Sequence, residues 1–262
     1  MESVVIICII ILAISVLMSM VGKGGGNFYV LTMVLAGVSM HNAATTSQLI
    51  MMGTALTSML IFHKSKKVDW KLALVIDPPT DIMALIGGYF AGNIEGITLK
   101  LMFASLLIVI SIFMFISVKE KPIIKKNKFG YWNRKFGEYE YTVNLWVTLP
   151  ITACVGFFAG AIGISGGAFK IPLMVMLCGI PMEIAIGTSS AMVAATALMG
   201  FIGHSINGDF NPSLAIPLMI VAVIGGLIGS KYALKSKPKN LKKIFAVTNL
   251  IAAIMMIINI II

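Results

Sequence analysis
The chain has 262 residues, 58% hydrophobic and only 11% charged, and a soluble domain of that make-up would lack the charge to cover its surface. Ordinary soluble enzymes and binding modules are therefore excluded. The net charge of +10 does not indicate nucleic acid as a partner, because the basic residues fall between apolar runs and Lys outnumbers Arg 19 to 1.

In chain order, the first apolar run covers residues 3–21. No basic residue precedes it and no small-residue cleavage site follows, so it reads as a mature helix and not as a signal peptide. The stretch GKGGGNFYVL (22–31) then interrupts the apolar sequence, and a short apolar segment follows at about 27–39. Long segments at 43–62, 80–97 and 98–118 complete the first half. After the basic stretch 119–142 come a long segment at 144–162, a second glycine cluster, a short segment at 168–179, and long segments at 184–205, 212–230 and 243–262. Each long segment suffices to cross a hydrocarbon layer of ~30 Å, and the short ones cannot span alone. The expected fold is an all-α polytopic membrane protein with about eight full spans and two short segments. Its membrane repeats are 1–118 and 143–262, joined by a cytoplasmic linker at 119–142.

The halves repeat one another. At an offset of 141, Gly22, Gly25, Gly26, Phe28, Met33 and Val34 fall on Gly163, Gly166, Gly167, Phe169, Met174 and Val175. At an offset of 142, Gly37, Met40, Ala43, Thr46 and Ser47 fall on Gly179, Met182, Ala185, Thr188 and Ser189. Further on, His63 matches His204, and Ile86-Gly87-Gly88 matches Ile224-Gly225-Gly226.

Charge sets the relative orientation of the repeats. The stretches 63–71, 119–142 and 231–243 hold 17 of the 20 basic residues and should all be cytoplasmic. If each glycine-broken pair of segments makes no net crossing, all three fall on one side and both termini fall outside. The loops near Glu95 and Asp209 then also lie outside. Without the short segments, 231–243 would lie opposite the other two. The repeats are therefore expected to be inverted, in a multi-pass protein of the cell membrane.

Inverted repeats with interrupted helices are characteristic of transporters. Broken backbone at membrane depth is tolerated only where protein or a water-filled cavity satisfies it, and glycine lets a ligand approach closely. A helix that begins just after Lys23-Gly24-Gly25-Gly26-Asn27 presents its free N–H groups to the break. Ser165-Gly166-Gly167 repeats the device, with Lys170 beside it. Two such helix starts facing one cavity form a receptor for a small anion, although membrane glycines also serve close helix packing. Thr45, Thr46, Ser47 and Thr188, Ser189, Ser190 follow the short segments as hydroxyl donors, with Asn27 and Asn42 as weaker candidates. The competing role for each hydroxyl is a bond to the carbonyl four residues back. GKGGGN lacks phosphate-loop spacing, and no motif for a cofactor or metal is present.

The paired Gly-Gly motifs, the Thr-Ser after each short segment and the basic central stretch resemble the TauE/SafE family, the sulfite exporters or TSUP permeases. The similarity covers essentially the whole chain and is closest at GISGGAFKIPLMVMLCGIPMEIAIGTSS (163–190). It implies transport of anionic sulfur compounds such as sulfite, sulfoacetate and related organosulfonates, usually outward. The family's first motif carries a proline past its glycines, as Pro172 does in the second. Leu31 stands there instead, so the halves need not contribute equally.

The acids are few. Asp77 and Asp81, in DPPTD, either start a helix or bind a coupling proton, and Glu183 beside the second motif is a further coupling candidate. His41, His63 and His204 read as solvated or core residues, and Cys8, Cys154 and Cys178 as buried small hydrophobes. The expected activity is secondary transport of a small anion by alternating access, in contact with the lipid bilayer and with no role for nucleic acid. An anion channel is the alternative. A membrane-embedded enzyme is less favoured, because no catalytic constellation stands out.

Overall fold
The structure, a computed structural model, describes residues 2–115, 129–164 and 166–236 together with several positions between 247 and 259. Expectations for Ser165, for residues 119–128 and for most of the segment 243–262 lie outside the described residues. The helices are α1 (Glu2–Met20), α2 (Gly26–Leu35), α3 (Met40–Lys64), α4 (Trp70–Ile76), α5 (Pro78–Ala91) and α6 (Gly96–Phe115) in the first half. The second half holds α7 (Leu145–Ala161), α8 (Gly167–Pro172), α9 (Met182–Ser205) and α10 (Pro212–Lys235). Among the described residues, α3, α9 and α10 are long and apolar enough to cross a membrane, and α4 with α5 makes a fourth if that bent pair is one span. Large apolar side chains such as Leu74, Ile82 and Trp146 face outward, as a lipid-facing surface requires.

Local chemistry explains where the elements start and stop. Asp69 caps α4 by accepting from the N–H groups of Lys71 and Leu72. Asn211 caps α10 through the Leu214 N–H, with Pro212 at its first helical position. The repeat-matched glycines Gly22 and Gly163 share positive φ (68° and 75°), as do Gly37 and Gly179 (86° and 69°), so matched positions turn the chain alike. The two short segments nevertheless differ. Where the first half has Leu31, α2 is a regular helix, whereas α8 passes after Pro172 into a π-helical turn at Leu173–Leu177. A proline cannot donate to the preceding turn, and widening the turn accommodates the missing bond.

Two expectations need correction. The segment expected at 80–97 is the shorter helix α5, Pro78–Ala91, and a further helix, α4, precedes it at a bend of 50°. Pro78 and Pro79 supply no N–H to the last carbonyls of α4, so the helix breaks at Asp77. The stretch 119–142 is not only a linker, and the fold is not purely α. Tyr131–Phe136 (β1) and Tyr139–Asn144 (β2) form an antiparallel hairpin that turns at Gly137 (φ 58°). Trp132, Arg134 and Phe136 pair with Val143, Tyr141 and Tyr139 on one face, which buries Tyr141 and Val143.

At the centre, α3 packs against α9. Around that pair, α1 packs on α10 and α10 on α3, while α7 packs on α5 and α5 on α9. The pattern is unchanged when α1, α2, α3 and α5 are exchanged for α7, α8, α9 and α10, and it includes the contacts α2–α3 and α8–α9. Several of the glycines serve close packing. A Cβ at Gly160 or Gly156 would strike the backbone of α5, and one at Gly225 would strike Ser15 of α1. The described parts of the three basic stretches meet at one end of the bundle. Arg134 of the hairpin binds Asp69 in the loop after α3, and Lys67 of that loop lines a shallow pocket with Ala233, Leu234 and Ser236.

Candidate functional site
The first break lies between α1 and α2, with Gly24 and Gly25 at φ 72° and 91°. Lys23 and Asn27 are both buried there. Its carbonyls are satisfied by hydroxyls: Ser47 Oγ donates to Gly26 O (3.1 Å), and Ser189 Oγ, from the other half, donates to Gly22 O (3.0 Å). A Cβ at Gly22 would lie 2.6 Å from the carbonyl of Ile186 in α9, and Gly163 at the second break presses in the same way on Ala44 of α3. Each break is thus seated against the central helix of the opposite half.

The remaining hydroxyls divide. Thr45 bonds His41 O and Ser190 bonds Ile186 O, the back-bonding alternative, while Thr188 Oγ1 accepts from the Asp69 N–H. Thr46 Oγ1 is buried without a partner. Asn42 contributes its backbone N–H to the Ser39 cap of α3.

Beside the second break lies a buried ionic cluster. Lys170 of α8, 1% exposed at its side chain, forms an ion pair with Asp77, 6% exposed. The ammonium also donates to Thr196 Oγ1 of α9 (2.6 Å), and that hydroxyl donates to Asp81 Oδ1 (2.6 Å). A Cβ at Gly166 would crowd the Lys170 stem at 2.9 Å, so the glycine leaves the lysine room. Asp77 stands at the N-cap position of α5 and Asp81 in its first turn, as the helix-start reading of DPPTD expected, but Asp77 makes no side-chain cap bond. Asp81 lies one turn on along the same face.

The first half holds a neutral counterpart. Tyr29 and Thr54, the repeat mates of Lys170 and Thr196, bond through their hydroxyls at 3.2 Å. The mates of Asp77 and Asp81 at the offset of Gly87 and Gly225 are Ala215 and Met219. At these four matched positions the charge lies on the second-break side, while Lys23 is buried at the first break. Thr196, Tyr29 and Thr54 were missed in the sequence, although the 141 and 142 offsets align them with their mates.

Glu183 stands apart from this cluster. It pairs with Lys67 at the end of the bundle, where the two side chains are 40% and 30% exposed. Nearby, Arg134 binds Asp69 through Nε (3.0 Å) and Nη2 (2.8 Å), and the Tyr141 hydroxyl donates to the same carboxylate. Burial pushes the Asp69 carboxyl up. The bonds from Arg134, Tyr141 and the Leu72 N–H outweigh it and hold the group below the usual carboxylate range. Of the histidines, His63 accepts from Trp70 Nε1 (3.0 Å), His41 lies against Ala91 O and Ile94 O, and buried His204 bonds Gly160 O (2.8 Å).

A family model described as sulfite exporter TauE/SafE matches residues 7–256. The chain is 29% identical over 240 residues to the probable membrane transporter protein YunE of Bacillus subtilis, covering 87% of this chain and 88% of that one. It is 23% identical over 264 residues to the probable membrane transporter protein YdhB of the same organism, covering 96% and 99%. It is 22% identical over 232 residues to the probable membrane transporter protein YfcA of Escherichia coli, covering 87% and 80%. No solved structure matches the chain. With the family match spanning almost its whole length, the chain belongs to the TauE/SafE family of membrane transporters.

Proposed function
We propose that the protein is a secondary carrier that exports a small anionic sulfur compound, such as sulfite, sulfoacetate or a related organosulfonate, by alternating access. The observation that carries this reading is the Lys170–Asp77 pair, buried beside a glycine break with Asp81 and Thr196 around it. Ionisable groups at membrane depth are costly and mark substrate and ion pathways. The anion binds between the two breaks, opposed by Lys23 and Lys170, with backbone N–H groups and Thr46 adding donors. Lys170 exchanges Asp77 for the anion. The released carboxylate takes a proton, shared with Asp81, so the two carboxyls carry one buried negative charge in place of two. A dianion moving with one proton still carries net charge outward under an interior-negative potential.

The exchange symmetry of the packing supports two structural repeats, which in this reading are inverted, hold eight full spans in all and rock against each other. Convergence of the basic stretches supports a cytoplasmic location for that end in the cell membrane, with both termini outside. The test is uptake of sulfite and sulfoacetate by protein-loaded liposomes, with and without an imposed pH gradient. Saturable, gradient-sensitive flux should disappear in folded Gly25→Leu and Gly167→Leu and lose its gradient dependence in Asp77→Asn. Normal transport by the leucine variants would reduce the breaks to packing features.

A further inference from the structure
Gln48 has no place in any of the roles above. It lies on α3, is fully buried, and neither Nε2 nor Oε1 has a hydrogen-bond partner. Buried polar side chains are nearly always bonded, and leaving an amide bare is unfavourable at both ends. Its surroundings place it next to the ionic cluster. Ala44, one turn earlier on the same face of α3, touches Gly163 at the second break. The amide itself lies against Gly200 of α9, where a Cβ would be 2.5 Å from Nε2. Gly200 is one turn beyond Thr196, the residue that bridges Lys170 and Asp81. The glycine accommodates the amide head against α9, at the point where Gly88 of α5 also packs on Gly200.

An amide offers donors and an acceptor together, and this has a chemical consequence. A bare oxyanion would satisfy Nε2 and leave Oε1 facing further lone pairs. We infer that Gln48 is a substrate-contacting residue that selects sulfur anions carrying a hydrogen-bond donor of their own, an O–H or N–H group beside the anionic oxygens. This rests on the carrier reading and narrows it. Hydroxyl- or amino-bearing sulfonates and hydrogen sulfite fit Gln48 better than fully deprotonated anions without a donor.

The test compares 2-hydroxyethanesulfonate with ethanesulfonate, two monoanions of similar size that differ in one hydroxyl, as competitors of sulfite uptake in liposomes. In the unaltered protein the hydroxylated sulfonate should compete at a concentration about tenfold lower or better, since a site built to bond a hydroxyl rejects the analogue lacking it. In Gln48→Leu the ratio should fall to within about twofold, while the ligand-free melting temperature stays the same or rises, because an unbonded buried amide has been removed. A structural role for Gln48 would lower that temperature instead. Gly200→Ala, which pushes a methyl against the amide, is the second variant and should also narrow the ratio. Equal competition in the unaltered protein, or an undiminished ratio in both variants, overturns the inference and leaves the carrier reading standing. Absence of any sulfite flux overturns the carrier reading and this inference with it.

Discussion

Replacing Lys170 by Met tests the ionic cluster through its energetics. The Lys170 and Asp77 side chains are 1% and 6% exposed, so neither charge is relieved by water. Removing one partner of such a pair costs about 3–5 kcal/mol, because the buried carboxylate left behind must either stay uncompensated or take up a proton. Asp81 keeps the Thr196 hydroxyl, so the loss falls on Asp77. The double variant Lys170→Met with Asp77→Asn removes both charges, and its cost should be only about 0–2 kcal/mol. The double variant should therefore be more stable than the single one by about 1–5 kcal/mol, a large part of a total stability of roughly 5–15 kcal/mol. Unfolding in mixed micelles by denaturing detergent measures both. Sulfite uptake should be lost in the single variant, and in the double variant the fold should recover without gradient-dependent transport. A single variant within about 1 kcal/mol of the unaltered protein, or a double variant no more stable than the single, would refute the buried pair.

Three further outcomes follow from the hairpin end of the bundle. Arg134→Lys gives up the two-pronged grip on Asp69 and should free the hairpin, read as faster proteolysis within 131–144, at a cost of about 1–3 kcal/mol. The Asp69 carboxyl is held below its ordinary value. Its contribution to docking is therefore complete above the unfolded value of about 4 and is lost only as pH falls through the lower, folded one. Trp132 fluorescence should accordingly be flat from pH 8 to about 5, and release within that range would contradict the Asp69 anchor. Glu183→Gln breaks a pair whose side chains are 30% and 40% exposed; it should change stability by less than about 1 kcal/mol and leave the gradient dependence of uptake intact.

Much of the fold was legible because long apolar runs admit few alternatives. The segments expected at 43–62, 184–205 and 212–230 lie within α3, α9 and α10, and both glycine breaks stand where the sequence put them. The hairpin was hidden by composition. In YWNRKFGEYEYTVN the basic residues dominated the reading, while the alternation that pairs Arg134 with Tyr141 is visible only when every second residue is read. Helix α4 fell between the basic loop at 63–71 and the segment expected from 80, since its seven residues are too few to read as a span.

The site was legible in its charges and not in its neutral members. Lys170, Asp77 and Asp81 stand out because ions are scarce in such a sequence. Thr196 and Gln48 are ordinary letters inside apolar helices, and only packing shows that one bridges a lysine to an aspartate while the other is left unbonded. The hydroxyls after the breaks were found in sequence, but Ser47 and Ser189 brace glycine carbonyls and Thr45 and Ser190 bond their own helices. Backbone demand at a broken helix uses the nearest donors first.

Counterflow in liposomes tests the central claim most directly. Vesicles preloaded with unlabelled sulfite are diluted into a trace of labelled sulfite, with the membrane potential clamped to zero. A carrier that rocks around one anion site should accumulate label transiently above its external concentration, and should do so less as the preload is lowered. Label that only equilibrates, at a rate independent of the preload and without saturation, would mean an open pore and would contradict alternating access.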